Sequence, residues 1–260
     1  MRKINFKADR DFYDHYIAPS SYKKDYLDIY RFNLLLKFLK LKFKLKSPFE
    51  NRIILNVAGG YGREAYLLFN CKPKKIILSD YSFNQLIQAK KYLKDFNSKY
   101  LLCADAEFLP IKDKSIDIFF INEALHHFMN PLKSIDEAIR VSKGFVILDE
   151  PYERRGISRF LEFIFVSLKL KEKLERGYLE SFRIDRIFLQ DISLRYKIKI
   201  LFYPYFIYYF NWYKYIKFKF IKLFYQKLIK VLNLFFHNFG NRVIVIISLK
   251  ENEDNFYRST

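Results

Sequence analysis

The sequence contains little cysteine, glycine or proline, with two, seven and seven residues of each among 260. Two cysteines, Cys71 and Cys103, are too few for a disulfide framework or a CxxC metal site, so we expect no metal centre. The few glycines and prolines exclude a linker-like or low-complexity chain. The first residues lack the apolar core of a signal peptide, and the expected compartment is the cytosol.

Apolar and positively charged residues are abundant instead. Hydrophobic residues make up 51% and aromatic residues 20% of the chain, which is enough to bury the core of one globular domain. The net charge of +19 favours an anionic partner, such as nucleic acid, an anionic membrane or a phosphorylated substrate. Lys, Asn, Ile, Phe and Tyr also have A/T-only codons, so nucleotide bias is an alternative source of this composition.

Apolar segments of strand length alternate with segments of helical period, which is typical of βαβ units and a parallel sheet. The predicted strands are 52–58, 75–80, 100–104, 116–122, 144–149, 196–203 and 242–249, and the predicted helices are 20–42, 63–70, 83–93, 131–141, 157–175 and 184–192. We therefore expect an α/β fold with a Rossmann-like, mostly parallel seven-stranded sheet and helices on both faces.

The same pattern predicts one domain over residues 1–260. Its expected parts are a helical N-terminal cover at 1–48, a cofactor-binding core at 49–150 and a C-terminal half at 151–260. About 38 residues separate the last two predicted strands, and a connection that long is expected to carry structure or function of its own. We place an aromatic, basic, helical insertion there, at about 204–241.

A glycine-rich turn follows the first predicted strand and reads Asn-Val-Ala-Gly-Gly-Tyr-Gly at residues 56–62. Such a turn lets the backbone approach a ligand closely and directs helix N-terminal amides towards it. Asp80 ends the second predicted strand about twenty residues later, where a carboxylate can accept both hydroxyls of a ribose. Asp105-Ala106-Glu107 follows the third strand. Together these elements predict a nucleotide-type cofactor site.

Five ordered motifs, at 56–62, 79–80, 104–117, 122–128 and 140–144, resemble the class I S-adenosylmethionine-dependent methyltransferases. The resemblance is strongest to the small-molecule branch that includes ubiquinone and menaquinone biosynthesis enzymes, and it covers roughly residues 50–150. It implies S-adenosylmethionine as cofactor. The residues it places at the cofactor are Asn56, Ala58, Gly59, Gly60, Gly62, Asp80, Tyr81, Asp105, Ala106 and Asn122.

The resemblance also implies individual roles. The backbone of Gly60 and Gly62 cradles the methionine part, and Asp80 holds the ribose hydroxyls. Asp105 and the Ala106 amide contact the adenine edge. Asn122 borders the transferred methyl group.

Two residues depart from the family pattern. Asn56 replaces the usual acidic residue, and Ala58 replaces the usual first glycine. Asn56 can accept a hydrogen bond but carries no charge, and we expect a negative φ at Ala58 to accommodate its methyl group. A non-catalytic scaffold with this fold is therefore one alternative, and an NAD- or FAD-binding protein is another.

Candidate catalytic residues follow the fourth predicted strand, where His126 and His127 reach the ligand-binding edge of the sheet. A neutral histidine there can act as general base for a hydroxyl acceptor, although a structural role at a helix start is the alternative. The candidate acceptor-binding residues are Glu150, Tyr152, Arg154 and Arg155 after the fifth strand, and Tyr13 and Tyr16 near the N-terminus. Arginine at this edge suits a carboxylate or phosphate on the acceptor.

Nucleic acid is the less favoured acceptor. Enzymes of this fold that methylate exocyclic base amines carry an Asn/Asp-Pro-Pro-aromatic motif, whereas residues 122–125 read Asn-Glu-Ala-Leu. Neither cysteine follows a proline, as C5 methylation would need, and no RNA-binding module is recognisable.

The segment before the last strand is unusually basic and aromatic. Residues 192–250 hold eleven Lys or Arg and no Asp or Glu, and fourteen of the residues 202–225 are aromatic, including Trp212. A narrow polar stripe at helical spacing comprises Lys219, Lys222, Gln226, Lys230, Asn233 and His237. Such a helix suits an anionic membrane surface, and packing on the protein's own sheet or on a second subunit is the alternative. The longest uncharged stretch, 200–213, is too short to span a membrane.

These observations predict a methyltransferase that acts on a small or lipid- or sugar-linked acceptor, such as a sugar hydroxyl or a quinone-type ring. The expected location is the cytoplasm, with peripheral association at the inner face of a membrane through residues 204–241. The sequence leaves the oligomeric state open, including a homo-oligomer.

Overall fold

The structure is a computed structural model that describes residues 26–153, 182–207 and 219–249, together with the single residues 15, 156, 159, 160 and 163. Several predicted positions lie outside the described residues: Tyr13, Tyr16, Arg154, Arg155, Trp212 and most of the predicted helix 157–175.

A seven-stranded sheet forms the centre of the molecule, as the sequence predicts, with the strand order β3-β2-β1-β4-β5-β7-β6. Its strands are β1 (Ile53–Val57), β2 (Lys75–Asp80), β3 (Lys99–Cys103), β4 (Ile116–Asn122), β5 (Ser142–Pro151), β6 (Lys199–Tyr205) and β7 (Arg242–Ser248). The pairs among β1 to β5 are parallel, and β7 runs antiparallel between β5 and β6. The carboxyl ends of the parallel strands therefore meet at one edge, where open α/β sheets bind ligands.

The described helices are α1 (Tyr26–Phe43), α2 (Arg63–Phe69), α3 (Phe83–Tyr92), α4 (Pro131–Val141), α5 (Arg186–Tyr196) and α6 (Lys219–Phe236). Side chains set several of their starts, because a polar residue before the helix accepts from an amide of the first turn. Ser82 does this for α3, Asn130 for α4 and Asp185 for α5. Where both ends are described, the predicted bounds differ from these by up to four residues.

Apolar side chains alternate between the two faces of the sheet and form two cores. On one face, Phe120 of β4 packs with residues of α1, α2, α3 and α6. On the other, its neighbour Phe119 packs with residues of α4 and α5. The N-terminal helix α1 lies on the first face and buries Leu27, Leu35 and Leu39 there.

Helix α6 differs from its predicted arrangement. The polar stripe does not form one continuous outer face, because Asn233 is buried and its carboxamide accepts from Phe206 N at 2.6 Å and donates to Phe206 O at 2.8 Å. Only a group that both donates and accepts can satisfy these two backbone groups, which explains why the asparagine turns inward. In the described part of the chain, no helix combines the length and apolarity needed to cross a membrane.

Candidate active site

The glycine turn lies at the ligand-binding edge of the sheet, between β1 and α2. A side chain at Gly59 would place its Cβ 2.8 Å from Asn56 Oδ1 and 2.9 Å from Leu78 Cγ, so there is room only for glycine. Gly60 and Gly62 have φ of +52° and +96°, in the left-handed region that glycine adopts without strain. Side-chain crowding thus explains Gly59, and the local backbone explains Gly60 and Gly62.

Ala58 corrects one prediction from the sequence. We expected a negative φ, but Ala58 has a φ of +49° and lies in the left-handed region. A methyl group there costs about 1–2 kcal/mol. The surrounding turn holds this conformation, in which Gly59 N donates to Ser79 O and Gly62 N donates to Gly59 O.

Asp80 is at the centre of the turn. Its Oδ2 accepts from Gly60 N at 2.8 Å and its Oδ1 accepts from Ser82 N at 2.8 Å. These two bonds fix the carboxylate at the end of β2, where the sequence predicts that it accepts from the ribose hydroxyls. The arrangement joins the glycine turn after β1 to the end of β2 in one site.

Two buried asparagines lie at the carboxyl ends of β1 and β4. Within the described residues, neither Asn56 Oδ1 nor Asn122 Oδ1 receives a hydrogen bond, although both side chains are buried. Such orphaned acceptors are costly unless a ligand or water supplies a donor. Together with the backbone-lined turn and Asp80, they fit a cofactor that carries an ammonium group and a ribose.

The loop after β3 forms the next wall of this edge. Asp105 Oδ1 accepts from Glu107 N at 2.9 Å, which fixes the loop, and Ala106 is buried. The Tyr81 ring is 45% exposed beside this loop, and Cys103 Sγ lies 3.4 Å from Tyr81 O. The sequence analysis predicts that Asp105 and Ala106 contact adenine, and both residues lie in this loop.

A cluster of charged residues with a buried centre, which the sequence analysis missed, lies between α1 and the sheet. The buried charge cluster comprises the buried residues Asp28, Arg31, Asp149 and Arg242 and the half-buried residues Arg63, Glu64 and Glu123. A small cavity beside it is lined in part by Arg31, Asn122 and Asp149. The i, i+3 pair of Asp28 and Arg31 near the start of α1, whose other charged residues are lysines, was the one available signal.

Arg31 lies at the middle of the cluster, and its side chain is only 4% exposed. Its guanidinium nitrogens lie 3.7 Å from Asp28, 3.5 Å from Glu64, 3.3 Å from Glu123 and 3.5 Å from Asp149. The N-terminal helix is therefore bound to the carboxyl edge of the sheet by charge as well as by apolar packing.

Neighbouring groups complete the cluster. Asn122 Nδ2 donates to Glu64 Oε1 at 2.8 Å, and Tyr205 donates from its hydroxyl to Asp149 Oδ1 at 2.6 Å. Arg242 pairs with Glu123 at 2.5 Å. The cluster thus connects α1 with β4, β5, β6 and β7.

The cluster perturbs the titration of its own members. Burial alone would raise the pKa of Glu123, but Arg242, Arg31 and Arg63 together hold that pKa well below its usual range. Burial raises the pKa of Asp149 despite Arg31 and Arg242. The arginines therefore keep Glu123 ionised. For Asp149, the cost of burying the charged form exceeds the stabilisation that the arginines give it.

His126 forms a pair with a buried glutamate. Its Nδ1 lies 2.8 Å from Glu150 Oε2, and Glu150 Oε1 accepts from the amides of Ala124 and Leu125 at 2.8 and 2.9 Å. The Glu150 side chain is 1% exposed and is occupied by donors of the chain itself. With its proton on Nδ1, His126 donates to Glu150 and keeps Nε2 as a proton acceptor.

The other predicted residues of this edge are placed differently. The ring of His127 lies 4.1 Å from that of His126, centre to centre, and burial followed by the charge of His126 lowers the pKa of His127 to about 4. Tyr152 is 2% exposed within the core, and among the described residues its hydroxyl has no hydrogen-bond partner.

Comparison with known proteins agrees with this geometry. Residues 55–148 match the methyltransferase domain family. The malonyl-[acyl-carrier protein] O-methyltransferase of Marinomonas sp. (strain MWYL1) is 32% identical over 145 residues, which cover 55% of this chain and 53% of that protein. The ubiquinone/menaquinone biosynthesis C-methyltransferase UbiE of Rickettsia typhi is 31% identical over 134 residues, 47% of this chain and 54% of that protein.

Over residues 55–148 the chain resembles the class I methyltransferases. The matched region holds the glycine turn, Asp80, Asp105 and Asn122, and a methyltransferase domain implies S-adenosylmethionine as cofactor. The chain spans about half the length of the curated relatives it matches.

The fold of the chain is shared with solved structures. The YcgJ protein of Bacillus subtilis superimposes with a TM-score of 0.53 at 20% identity, covering 82% of this chain and 98% of that one. At this identity the likeness shows the fold alone.

Proposed function

We propose that this methyltransferase transfers a methyl group from S-adenosylmethionine to a small or lipid- or sugar-linked acceptor. The position of Asp80 on the glycine turn carries the proposal. Within the matched region, it places a carboxylate that can accept from ribose hydroxyls next to the backbone of Gly60. By their names, the relatives reported above methylate malonyl-[acyl-carrier protein] and serve ubiquinone/menaquinone biosynthesis, which supports an acceptor of this class.

When bound, S-adenosylmethionine supplies an electrophilic methyl group on a sulfonium. The chain's own part is to bind and orient. Asp80 would accept from the ribose hydroxyls, the backbone of Gly60 and Gly62 would hold the methionine part, and Asn122, whose Oδ1 is orphaned, would border the transferred methyl group. Asp105 and Ala106 would border the adenine. Burial of the edge by α1 excludes water, and orientation in a dry site supplies much of the acceleration.

His126 is the general base in this proposal, and Glu150 is its positioning residue. Methylation of a hydroxyl acceptor releases that hydroxyl's proton, and His126 Nε2 would take it. Glu150 holds the ring through Nδ1 and stabilises the imidazolium that results. The acceptor-binding role expected for Glu150 is thereby replaced by an indirect one, since its oxygens already bind the chain.

Calorimetric titration with S-adenosylmethionine and S-adenosylhomocysteine tests the cofactor part. We expect micromolar binding, and Asp80→Ala should weaken it at least about tenfold because two charge-assisted hydrogen bonds are lost. Asp95→Ala, which alters an exposed carboxylate remote from the glycine turn, is the control and should bind like the wild type. No binding to the folded wild-type protein would favour the non-catalytic scaffold that Asn56 and Ala58 suggest.

Activity on hydroxyl acceptors tests the proposed base. His126→Gln should lower kcat by about 10²- to 10⁴-fold with little change in KM for S-adenosylmethionine. Glu150→Gln should lower kcat less, because a misplaced imidazole retains some basicity. Unchanged kcat in His126→Gln would remove the base assignment. Methyl incorporation into RNA, with none into small molecules, would favour the nucleic-acid alternative.

The membrane location stands as part of the same proposal. A lipid-linked acceptor would reach the enzyme from an anionic membrane surface, and the chain would then be a peripheral protein of the cytoplasmic face. The basic segment 192–250, which has no acidic residue, supports this location.

A further inference from the structure

Helix α6 exposes an apolar face, although it belongs to a folded domain. Phe224, Leu234 and Phe235 are 68%, 70% and 69% exposed, and Leu223, Leu228 and Val231 are also exposed. The opposite side packs on the protein, where Tyr225, Ile229 and Asn233 are buried. The helix is therefore apolar on both its buried and its exposed side, whereas a surface helix ordinarily has a polar outer side.

The size of this face exceeds what single exposed residues explain. At about 200 Å² for an aromatic side chain, Phe224 and Phe235 alone expose roughly 270 Å². The largest apolar patch of a typical monomer is about 300–600 Å², and the four aliphatic neighbours bring this face into that range or above it. From Leu223 to Phe235 the face extends over about 18 Å along the helix.

The charges around the face have one sign. Lys227 lies within the apolar arc, Lys230 lies at its margin, and both are exposed. No acidic residue occurs anywhere in 192–250, so nothing in this segment would repel a negatively charged partner. An apolar face with basic residues in and beside it complements a layer whose surface is anionic and whose interior is hydrocarbon.

We propose that the α6 face, defined as Leu223, Phe224, Lys227, Leu228, Lys230, Val231, Leu234 and Phe235, docks in the plane of an anionic membrane. The apolar side chains enter the acyl boundary, and the lysine heads remain among the headgroups. The inference deepens the proposed membrane location by naming the surface. The helix lies on the membrane, and its other side stays packed on the sheet.

Cosedimentation with phosphatidylcholine vesicles that contain 30% phosphatidylglycerol tests this docking in the absence of S-adenosylmethionine. The wild-type chain should sediment with these vesicles at low salt, and less so as salt screens the lysines. Vesicles of phosphatidylcholine alone should bind it weakly. No sedimentation with anionic vesicles at low salt overturns the proposal, whatever the cofactor titration gives.

Paired variants test whether vesicle binding depends on the α6 face or on charged and apolar residues elsewhere in the chain. Phe224→Ser/Leu234→Ser and Lys227→Glu/Lys230→Glu should each lower the partition coefficient by about a hundredfold or more. Ile187→Ser/Leu194→Ser removes equally exposed apolar residues from α5, and Lys90→Glu/Lys91→Glu reverses exposed lysines on α3. These controls should bind within about threefold of the wild type.

The same variants distinguish a second copy of the chain as the occupant. If Phe224→Ser/Leu234→Ser abolishes a dimer seen by sedimentation equilibrium while the wild type ignores anionic vesicles, the face is a subunit interface and membrane docking is refuted. Equal losses in the controls and in the α6 variants would also refute it. Vesicle binding is measured without cofactor or acceptor, so a failure of methyl transfer or of cofactor binding would not change its result. The proposed methyl transfer and the proposed membrane docking can therefore fail separately.

Discussion

Replacement of Arg31 by methionine should destabilise the protein more than any loss of a surface ion pair. The guanidinium lies within 3.3–3.7 Å of four carboxylates, and its side chain is 4% exposed. Methionine fills a similar volume but leaves these carboxylates with only Arg63 and Arg242. Removal of one partner from a buried pair costs about 3–5 kcal/mol. For a domain of this size that corresponds to a decrease in Tm of roughly 6–20 °C.

Differential scanning calorimetry at pH 7 measures this decrease, and Arg195→Met is the matched control. Arg195 is 54% exposed and lies 3.8 Å from Asp136, so its loss should cost less than about 1 kcal/mol. The reasoning would be refuted if the Tm of Arg31→Met fell within about 2 °C of the wild type, or if the control lost as much.

The pH dependence gives a second check on the same variant. The folded-state pKa of Glu123 lies below its unfolded value, so the ionised group contributes stability above that unfolded value and loses it as the pH falls. Arg31 causes part of the lowering of the Glu123 pKa, so the Arg31→Met protein should lose less stability as the pH falls. The difference in unfolding free energy between wild type and Arg31→Met should therefore narrow below about pH 4, and a difference that widens in acid would contradict the charge argument.

Two further substitutions test local features. Ala58→Gly relieves a methyl group at φ +49° and should raise the Tm by about 2–4 °C, after allowance for the greater freedom of glycine in the unfolded chain; a lower Tm would contradict the strain. His127 has a folded-state pKa of about 4, below the unfolded value, so the wild type should lose on the order of 3 kcal/mol as the pH falls from about 6.5 towards 4. Urea unfolding at pH 7 and pH 4.5 measures this loss of unfolding free energy, and His127→Phe should lose correspondingly less between the two pH values. Equal losses in both proteins would contradict a low pKa for His127.

The sheet and its order of elements could be predicted from the sequence because the strands are continuous apolar segments with polar or glycine boundaries. β2 and β4 begin and end where predicted, since Asp80 and Asn122 end them with polar side chains. The glycine turn and Asp80 meet as expected, because carboxyl ends of adjacent parallel strands share one edge. Local pattern and parallel topology together suffice for this part of the site.

The buried charge cluster could not be predicted in the same way. Arg31 and Asp149 are 118 positions apart, and a single arginine on a helix is ordinarily a solvated residue. Arg242 in β7 and Glu123 after β4 meet only because β7 inserts antiparallel next to β5. The contact between Glu150 and His126 cannot be predicted for a related reason: the two residues lie 24 positions apart, and the register of β4 and β5 brings them together.

Helix α1 joins the cluster to the proposed docking helix. Tyr30 follows Asp28 and precedes Arg31 within α1, and its hydroxyl accepts from Asn233 Nδ2 of α6 at 3.3 Å. Asn233 also binds both backbone groups of Phe206, so α6 cannot shift far without disturbing α1. α1 carries Arg31, which lies over the carboxyl ends of β4 and β5. A membrane that holds α6 would therefore also fix the position of α1, the helix that lies over this edge of the sheet. An acceptor embedded in that membrane would then meet a covering helix already oriented by the surface from which the acceptor comes.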